Sequence, residues 1–229
     1  MPETWAAILS AASRVLAPKN PGHPEPPRYA LDRALRAIRT ADRLAPLAGD
    51  VFERIDLVHV AALYATIAHC GCHVAAAPAG NGHKVPDEHA HNDAAELAAD
   101  HLKKILSPDD LDLLTRILRE HRKRHTELPE ARLLADALCL EEFGLIGLWH
   151  QMRTFHAQNK APEQLLKLWK AQHDYGYWDT RLRDGFHYPA TRAVARKRLE
   201  SMDGLFERLS AENLAEDLPL EIGATAIHQ

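Results

Sequence analysis

The feature that most constrains the fold is an apolar run near the middle of the chain, residues 58–68, which reads VHVAALYATIA. Its apolar residues cover most of the circumference of a helix instead of forming one stripe, so neighbours must cover that helix on several sides. The run is too short to span a bilayer, and polar side chains interrupt it. The sequence therefore predicts the buried central helix of a bundle, beginning near Val51 or Asp56 and ending near Val74.

Helical patterns also fill the rest of the chain. Apolar residues recur at spacings of three and four, as along Leu31, Leu35 and Ile38, and no run of alternating β-branched residues predicts a strand. Ser107 and Pro108 form a helix start, with a hydroxyl cap before proline at the first helical position. The predicted fold class is all-α, a multi-helix bundle. The predicted segments are an N-terminal helix with a proline-rich arm (1–28), one helical domain with a C-terminal helical extension (29–212) and a tail (213–229).

Charge and cysteine content bound the function. The net charge of -4 gives no electrostatic reason to expect nucleic acid as the main partner. The three cysteines include Cys70 and Cys72, whose spacing is geometrically poor for a disulfide, and this fits a reduced protein. The first residues lack the cationic lead of a signal peptide. We therefore expect a cytoplasmic protein without a membrane role.

Histidine is abundant, with 15 copies in 229 residues. His69 with His73, and His121 with His125, are pairs at i, i+4, which places both imidazoles of a pair on one helical face, as a two-ligand metal clamp requires. With so many histidines, such pairs also arise by chance. The CGC sequence after His69 is not a Cys-x-x-Cys zinc motif, and no second cysteine pair completes four ligands.

Cations crowd the segment 116–132. Their side chains could hold a small anionic ligand, with Arg119, Arg122 and Lys123 as the candidate contacts. The alternative is a solvated helix face, which is the commoner arrangement for a segment rich in charged residues.

Three features together resemble the HD superfamily of metal-dependent phosphohydrolases over residues 29–150: the order of helices, the apolar run that ends in histidine, and the later stretch LLADALCLEEFGLIGLW. In that family a first histidine, a His-Asp pair ending a buried helix, often two further histidines, and a late aspartate hold one or two divalent metals. The resemblance implies a phosphoester substrate and a divalent cofactor (Mn, Fe, Co, Zn or Mg).

Two positions depart from the family pattern. His69 matches the histidine of the pair, but Cys70 stands in place of its aspartate, and Arg33 in YALDRALRAIRTADRLA stands in place of the first histidine. An arginine cannot ligate a cation, because its guanidinium stays protonated. Loss of the aspartate removes the hard oxygen that would bridge two metals and lower the pKa of a bound water.

The remaining positions resemble the family pattern. The late aspartate corresponds to Asp136 in LLADAL, or falls on Leu138 if the count is taken back from the glycine of the EFGL sequence. The further histidines correspond to one of His89 and His91 in EHAHNDAAELAADHL, and to His121 in ILREH.

Two functions follow from this partial match. In the first, the site is eroded: hydrolysis is weak or absent, no cofactor is needed, and Arg33 fills the vacated metal position. Its fixed charge would pair with Asp136 or reach a phosphate of a small phosphorylated ligand. In the alternative, the protein is an active mononuclear phosphohydrolase acting on a nucleotide or other phosphoester. The metal ligands, the last two also catalytic, would then be His69, His89 or His91, His121 and Asp136.

Aromatic residues are concentrated in the segment LWKAQHDYGYWDTRL, residues 168–182. Aromatic side chains with one polar edge suit a substrate lid or a contact between two copies in a homodimer. The alternative is that these rings cap the bundle, with Gly176 allowing a sharp turn.

Overall fold

The structure is a computed structural model that describes residues 2–16, 27–69 and 88–218. Every regular element within those ranges is a helix, which confirms the predicted all-α fold class. The proline-rich stretch of the predicted arm lies outside the described residues. The helices are α1 (Pro2–Leu16), α2 (Pro27–Ala48), α3 (Ile55–His69), α4 (Glu88–Leu102), α5 (Pro108–Glu120), α6 (Pro129–Cys139), α7 (Leu145–Ala157), α8 (Pro162–Asp174), α9 (Tyr177–Asp184) and α10 (Pro189–Asn213), with a 3-10 turn (Leu140–Glu142) before α7.

The described chain divides into two compact units. The first unit contains the chain up to Leu140 together with Gly185–Thr191. The second unit contains Glu141–Asp184 together with the chain from Arg192 onward. The domain boundaries near residues 28 and 212, and the HD type of the bundle, stay predictions.

The central element of the first unit is α3. From Leu57 to Ile67 every residue except His59 is at most 3% exposed. This helix packs against α1, α2, α4, α5 and α6. The buried central helix predicted from the apolar run is therefore confirmed, and its start agrees with the later of the two predicted positions. The predicted last turn, beyond His69, lies outside the described residues.

Charged groups from two other helices fix the start of α3. The buried carboxylate of Glu130 on α6 accepts hydrogen bonds from the backbone amides of Glu53 and Arg54, at 3.2 and 3.4 Å. Amides at a helix start lack acceptors within the helix, so a carboxylate is well placed there. The Arg54 guanidinium pairs with Asp56 and with Asp110 of α5. Hydrogen bonds from Arg54 hold the pKa values of both carboxyls below their usual range.

The junction between α4 and α5 follows the sequence signal. The Ser107 hydroxyl accepts a hydrogen bond from the Asp110 amide at 3.2 Å, and Pro108 begins α5, as predicted. Helix α4 ends earlier, at Leu102. Ser107 is extended, with ψ at 157°, as a residue before proline tends to be, so the chain must leave the helical conformation ahead of it.

The second unit has an aromatic centre. Trp169 of α8 stacks on Phe206 of α10 with ring centroids 4.1 Å apart, and its ring lies 5.3 Å from that of Trp178 on α9. Phe143 meets Trp178 edge-on at 5.2 Å. Both tryptophans are buried, whereas Tyr175 is 86% exposed. The tryptophans of the aromatic segment therefore form a core, and Tyr175 does not join it.

Helix α9 has no counterpart among the sequence-based predictions. Its sequence, YWDTRLRD, is only eight residues long, and only Trp178 and Leu182 are buried. So short a segment with charges between two apolar residues does not establish a helical period. The predicted turn at Gly176 is present, with φ at +63°.

Two glycines determine how the chain enters α7. Gly144 precedes the helix with φ at +81°, a conformation that side chains rarely adopt, and its amide donates to the sulfur of Met202 at 2.9 Å. A Cβ at Gly147 would overlap the backbone carbonyl of Glu142 in the 3-10 turn. The close approach of α7 to this turn therefore requires glycine at position 147.

We expect Gly147→Ala to lower the free energy of unfolding by about 2–3 kcal/mol, because overpacking against main chain forces the backbone to shift. Gly204→Ala is the matched control, since Gly204 lies inside α10 and an added Cβ meets nothing within 4 Å. That alanine should raise the free energy of unfolding by about 0.5–1 kcal/mol through helix propensity. Urea denaturation followed by circular dichroism measures both. Equal stability of the two variants would contradict the close contact.

Candidate functional site

Backbone amides hold the carboxylate of Asp136, one of the predicted metal ligands. It lies on α6 with 0% exposure, and its two carboxylate oxygens accept hydrogen bonds from the backbone amides of His187 and Tyr188, at 2.7 and 3.1 Å. These amides come just before α10, where a helix start leaves donors without acceptors. Asp136 therefore ties the segment Gly185–Thr191 to α6.

A second carboxylate holds the side chain of the same segment. The Tyr188 hydroxyl donates to Asp50 at 2.7 Å, and Asp50 also pairs with the Arg132 guanidinium at 3.1 Å. Arg132 lies over the Tyr188 ring, with its central carbon 6.0 Å from the ring centroid. Burial and the hydrogen bond to Asp50 raise the pKa of the Tyr188 hydroxyl, which stays protonated. Asp50, Arg132 and Tyr188 thus form a polar cluster beside Asp136.

Two basic side chains, Arg132 and His125, lie near the imidazole of His187. Burial lowers the pKa of His187, and the neighbouring side chains of Arg132 and His125 lower it further. The imidazole is therefore neutral at neutral pH. Sequence reasoning missed Asp50, Tyr188 and His187, because each lies more than 50 residues along the chain from its partners in this cluster.

His121 is buried, and a backbone carbonyl fixes its tautomer. It follows α5, is 4% exposed, and its Nδ1 lies 2.8 Å from the carbonyl oxygen of Leu118. A carbonyl only accepts hydrogen bonds, so Nδ1 carries the proton and Nε2 is the nitrogen with the lone pair. This is the tautomer that a metal-binding histidine uses when it ligates through Nε2.

The other predicted metal ligands have side chains outside the described part of the chain. His69 is the last residue of α3, and His89 and His91 lie in the first turn of α4, but their side chains are outside the described part of the chain, as is all of Cys70. Among the side chains that are described, no group of three or more His, Cys, Asp or Glu residues could hold a metal ion. The predicted ligand set therefore stays a prediction.

The predicted anion contacts differ in their burial. Arg119, Arg122 and Lys123 are exposed, and Lys123 makes a loose ion pair with Glu120 at 3.9 Å. Arg33 on α2 is half-buried, and its Nε is buried with no hydrogen-bond partner among the described residues. Within those residues no ion pair joins Arg33 to Asp136. Of the predicted contacts, Arg33 alone combines burial with an unsatisfied donor.

The second unit contains a groove of about 490 Å³ that the sequence did not indicate. Burial raises the pKa of Asp203 at its edge, although His173 lies 2.9 Å away. The groove carries charges of both signs, so its electrostatics favour no single class of ligand. It is lined by Asp179, Leu182, Arg183, Arg192, Arg196, Leu199, Glu200 and Asp203.

No protein-family model, no curated protein and no solved structure matches this chain. In the described ranges, no helix is both long enough and apolar enough to cross a membrane. The resemblance to the HD superfamily is therefore carried by the sequence motifs alone.

We expect Asp136→Asn to lower the free energy of unfolding by about 3 kcal/mol. The amide side chain keeps one oxygen acceptor but turns an NH₂ group toward the second backbone amide, which leaves buried donors unsatisfied. Asp112→Asn on the exposed face of α5 is the control, and it should change stability by less than about 0.5 kcal/mol. Thermal and urea denaturation measure the difference. Wild-type stability of the Asp136 variant would show that this carboxylate is not a structural tie.

Proposed function

We propose that the first unit binds a small phosphorylated molecule and hydrolyses it weakly or not at all. The observation that carries this proposal is the position of Asp136, whose two carboxylate oxygens both accept backbone amides in a buried environment. A metal ligand must direct an oxygen lone pair at the cation and is normally held there by its neighbours. Asp136 holds the chain before α10 through these two bonds, so its burial and its charge are accounted for without a metal.

The charge of Arg33 supports binding rather than catalysis. A buried N–H group without an acceptor costs about 1–3 kcal/mol, so most such groups in folded proteins donate a hydrogen bond to protein, water or a ligand. A phosphate is a fitting partner, because the planar guanidinium donates two parallel hydrogen bonds to it. Arg33 also lies on α2, which packs against both α3 and α6, the helices that carry His69 and Asp136. A ligand phosphate would thus take the position that the family pattern gives to metal.

The test is calorimetric titration of the full chain with inorganic pyrophosphate and with a nucleoside monophosphate. We expect Arg33→Ala to weaken binding about tenfold or more, because a charge-assisted contact is lost. Arg39→Ala, on an exposed position of the same helix, is the matched control and should bind as the wild type does. Arg33→Lys keeps the charge but loses the fork of donors, so its affinity should fall between the two.

Absence of binding for the wild type, or equal losses for the Arg33 and Arg39 variants, would contradict the proposed site. Thermal melting without ligand checks that each variant is folded. Arg33→Ala should melt close to the wild type, because the substitution removes an unsatisfied buried donor and no hydrogen bond among the described residues.

The alternative is the active mononuclear phosphohydrolase, and the environment of His121 favours it. Its Nε2 is the nitrogen able to ligate, and it is buried as a metal ligand would be. Metal content separates the two functions. Protein purified without added zinc or nickel should contain less than one equivalent of metal if the site is eroded. A full equivalent of manganese, iron or cobalt, together with phosphomonoesterase activity, would establish the alternative and overturn our proposal.

A further inference from the structure

The exposed face of α7 carries four large apolar side chains side by side. Leu145 is 59% exposed, Ile146 38%, Trp149 55% and Met152 44%. Two other residues of the helix, Gly147 and Leu148, are buried within the second unit. A contiguous apolar patch of this kind marks an interaction surface more often than scattered exposed residues do.

The spacing along α7 is that of a helix that pairs with another helix. Leu145, Trp149, Met152 and His156 follow at intervals of four, three and four, which keeps them on one seam. Tryptophan and methionine are also enriched at the centre of protein interfaces. The face therefore suits packing against a second helix. The charges at its two ends indicate which helix that is.

The two ends of this face differ in charge. Glu142 lies just before the N-terminal end, where Arg181 pairs with it but leaves its side chain 46% exposed. Arg153 and His156 lie at the C-terminal end, and His156 is exposed. Two antiparallel copies would set the acidic end of each helix beside the basic end of the other. A parallel pair would place like charges together.

We propose that α7 pairs with α7 of a second copy of this chain, antiparallel, across a two-fold axis near Trp149. The arrangement is isologous, since each copy contributes the same patch. Trp149 of each copy meets the Met152 side of its partner, a favourable contact between an aromatic ring and sulfur. The two helix macrodipoles are then antiparallel, so the positive end of each lies beside the negative end of the other. This inference is independent of the proposed phosphate site, which lies in the first unit.

The size of the patch sets the expected affinity. A standard interface buries about 800 Å² per partner, and four side chains supply only the apolar centre of such a contact. We therefore expect a dimer that dissociates in the micromolar range and depends on protein concentration, instead of a permanent assembly.

Sedimentation velocity of the full chain between about 1 and 200 μM tests the proposal across that range of dissociation constants. The wild type should pass from monomer to dimer. Trp149→Glu should raise the dissociation constant at least tenfold, since it buries a charge at the centre of the seam. Tyr175→Glu is the control, because Tyr175 is 86% exposed in the same unit but lies off α7. Circular dichroism confirms that both variants are folded.

Arg153→Glu tests the orientation, because in the antiparallel pair it places a carboxylate beside Glu142 of the other copy. Dimerisation should weaken several-fold. A monomeric wild type over the whole concentration range would overturn the proposal and leave the α7 face to a different partner. A dimer that survives both Trp149→Glu and Met152→Glu would also overturn it, since the contact would then lie elsewhere. An unaffected Arg153→Glu dimer would overturn the antiparallel arrangement.

Discussion

The first unit depends on the burial of α3 on every side. A helix with apolar residues around its whole circumference gains little from covering one face, because each uncovered side leaves large side chains in water at a cost of about 1.5–3 kcal/mol each. Five helices therefore surround it, and Leu63, Tyr64 and Ile67 have no exposed surface. A polar group buried in such an interior loses its contact with water, so a hydrogen-bond partner there stabilises the fold.

Buried carboxylates supply those partners at the ends of helices. Glu130 receives the amides before α3, and Asp136 receives the amides before α10. Both acids lie on α6, so one helix fixes the positions of two helix starts that are far apart in the sequence. The Asp50–Tyr188–Arg132 cluster holds the same segment a second time. The geometry around Asp136 is thus set by the folding of the unit.

The partial resemblance to the HD pattern bears on the kind of ligand that we propose for the first unit. A cation site needs several ligands that converge with their lone pairs directed inward, whereas an anion site needs one well-placed guanidinium and few other groups. By the resemblance, Arg33 stands where the HD pattern has a histidine, and a guanidinium at that position suits a site of the second kind. The Arg33 guanidinium therefore fits a phosphate better than it fits a metal.

Several features follow from the sequence alone because their causes are local. The apolar run specifies a buried helix through the positions of its own side chains, and Ser107 with Pro108 specifies the start of α5 through contacts within one turn. The all-α class follows from the same periodicity. Other features depend on residues that meet only after folding. Asp136 reads in the sequence as a metal ligand, and only its contact with amides 51 and 52 residues away reveals a structural tie. Trp149 reads as one more apolar residue of a helix, and its exposure was decided by which face of α7 the second unit buries. Side-chain pattern determines which helices form, whereas the free energy of packing them determines which polar groups are satisfied and which apolar faces stay outside.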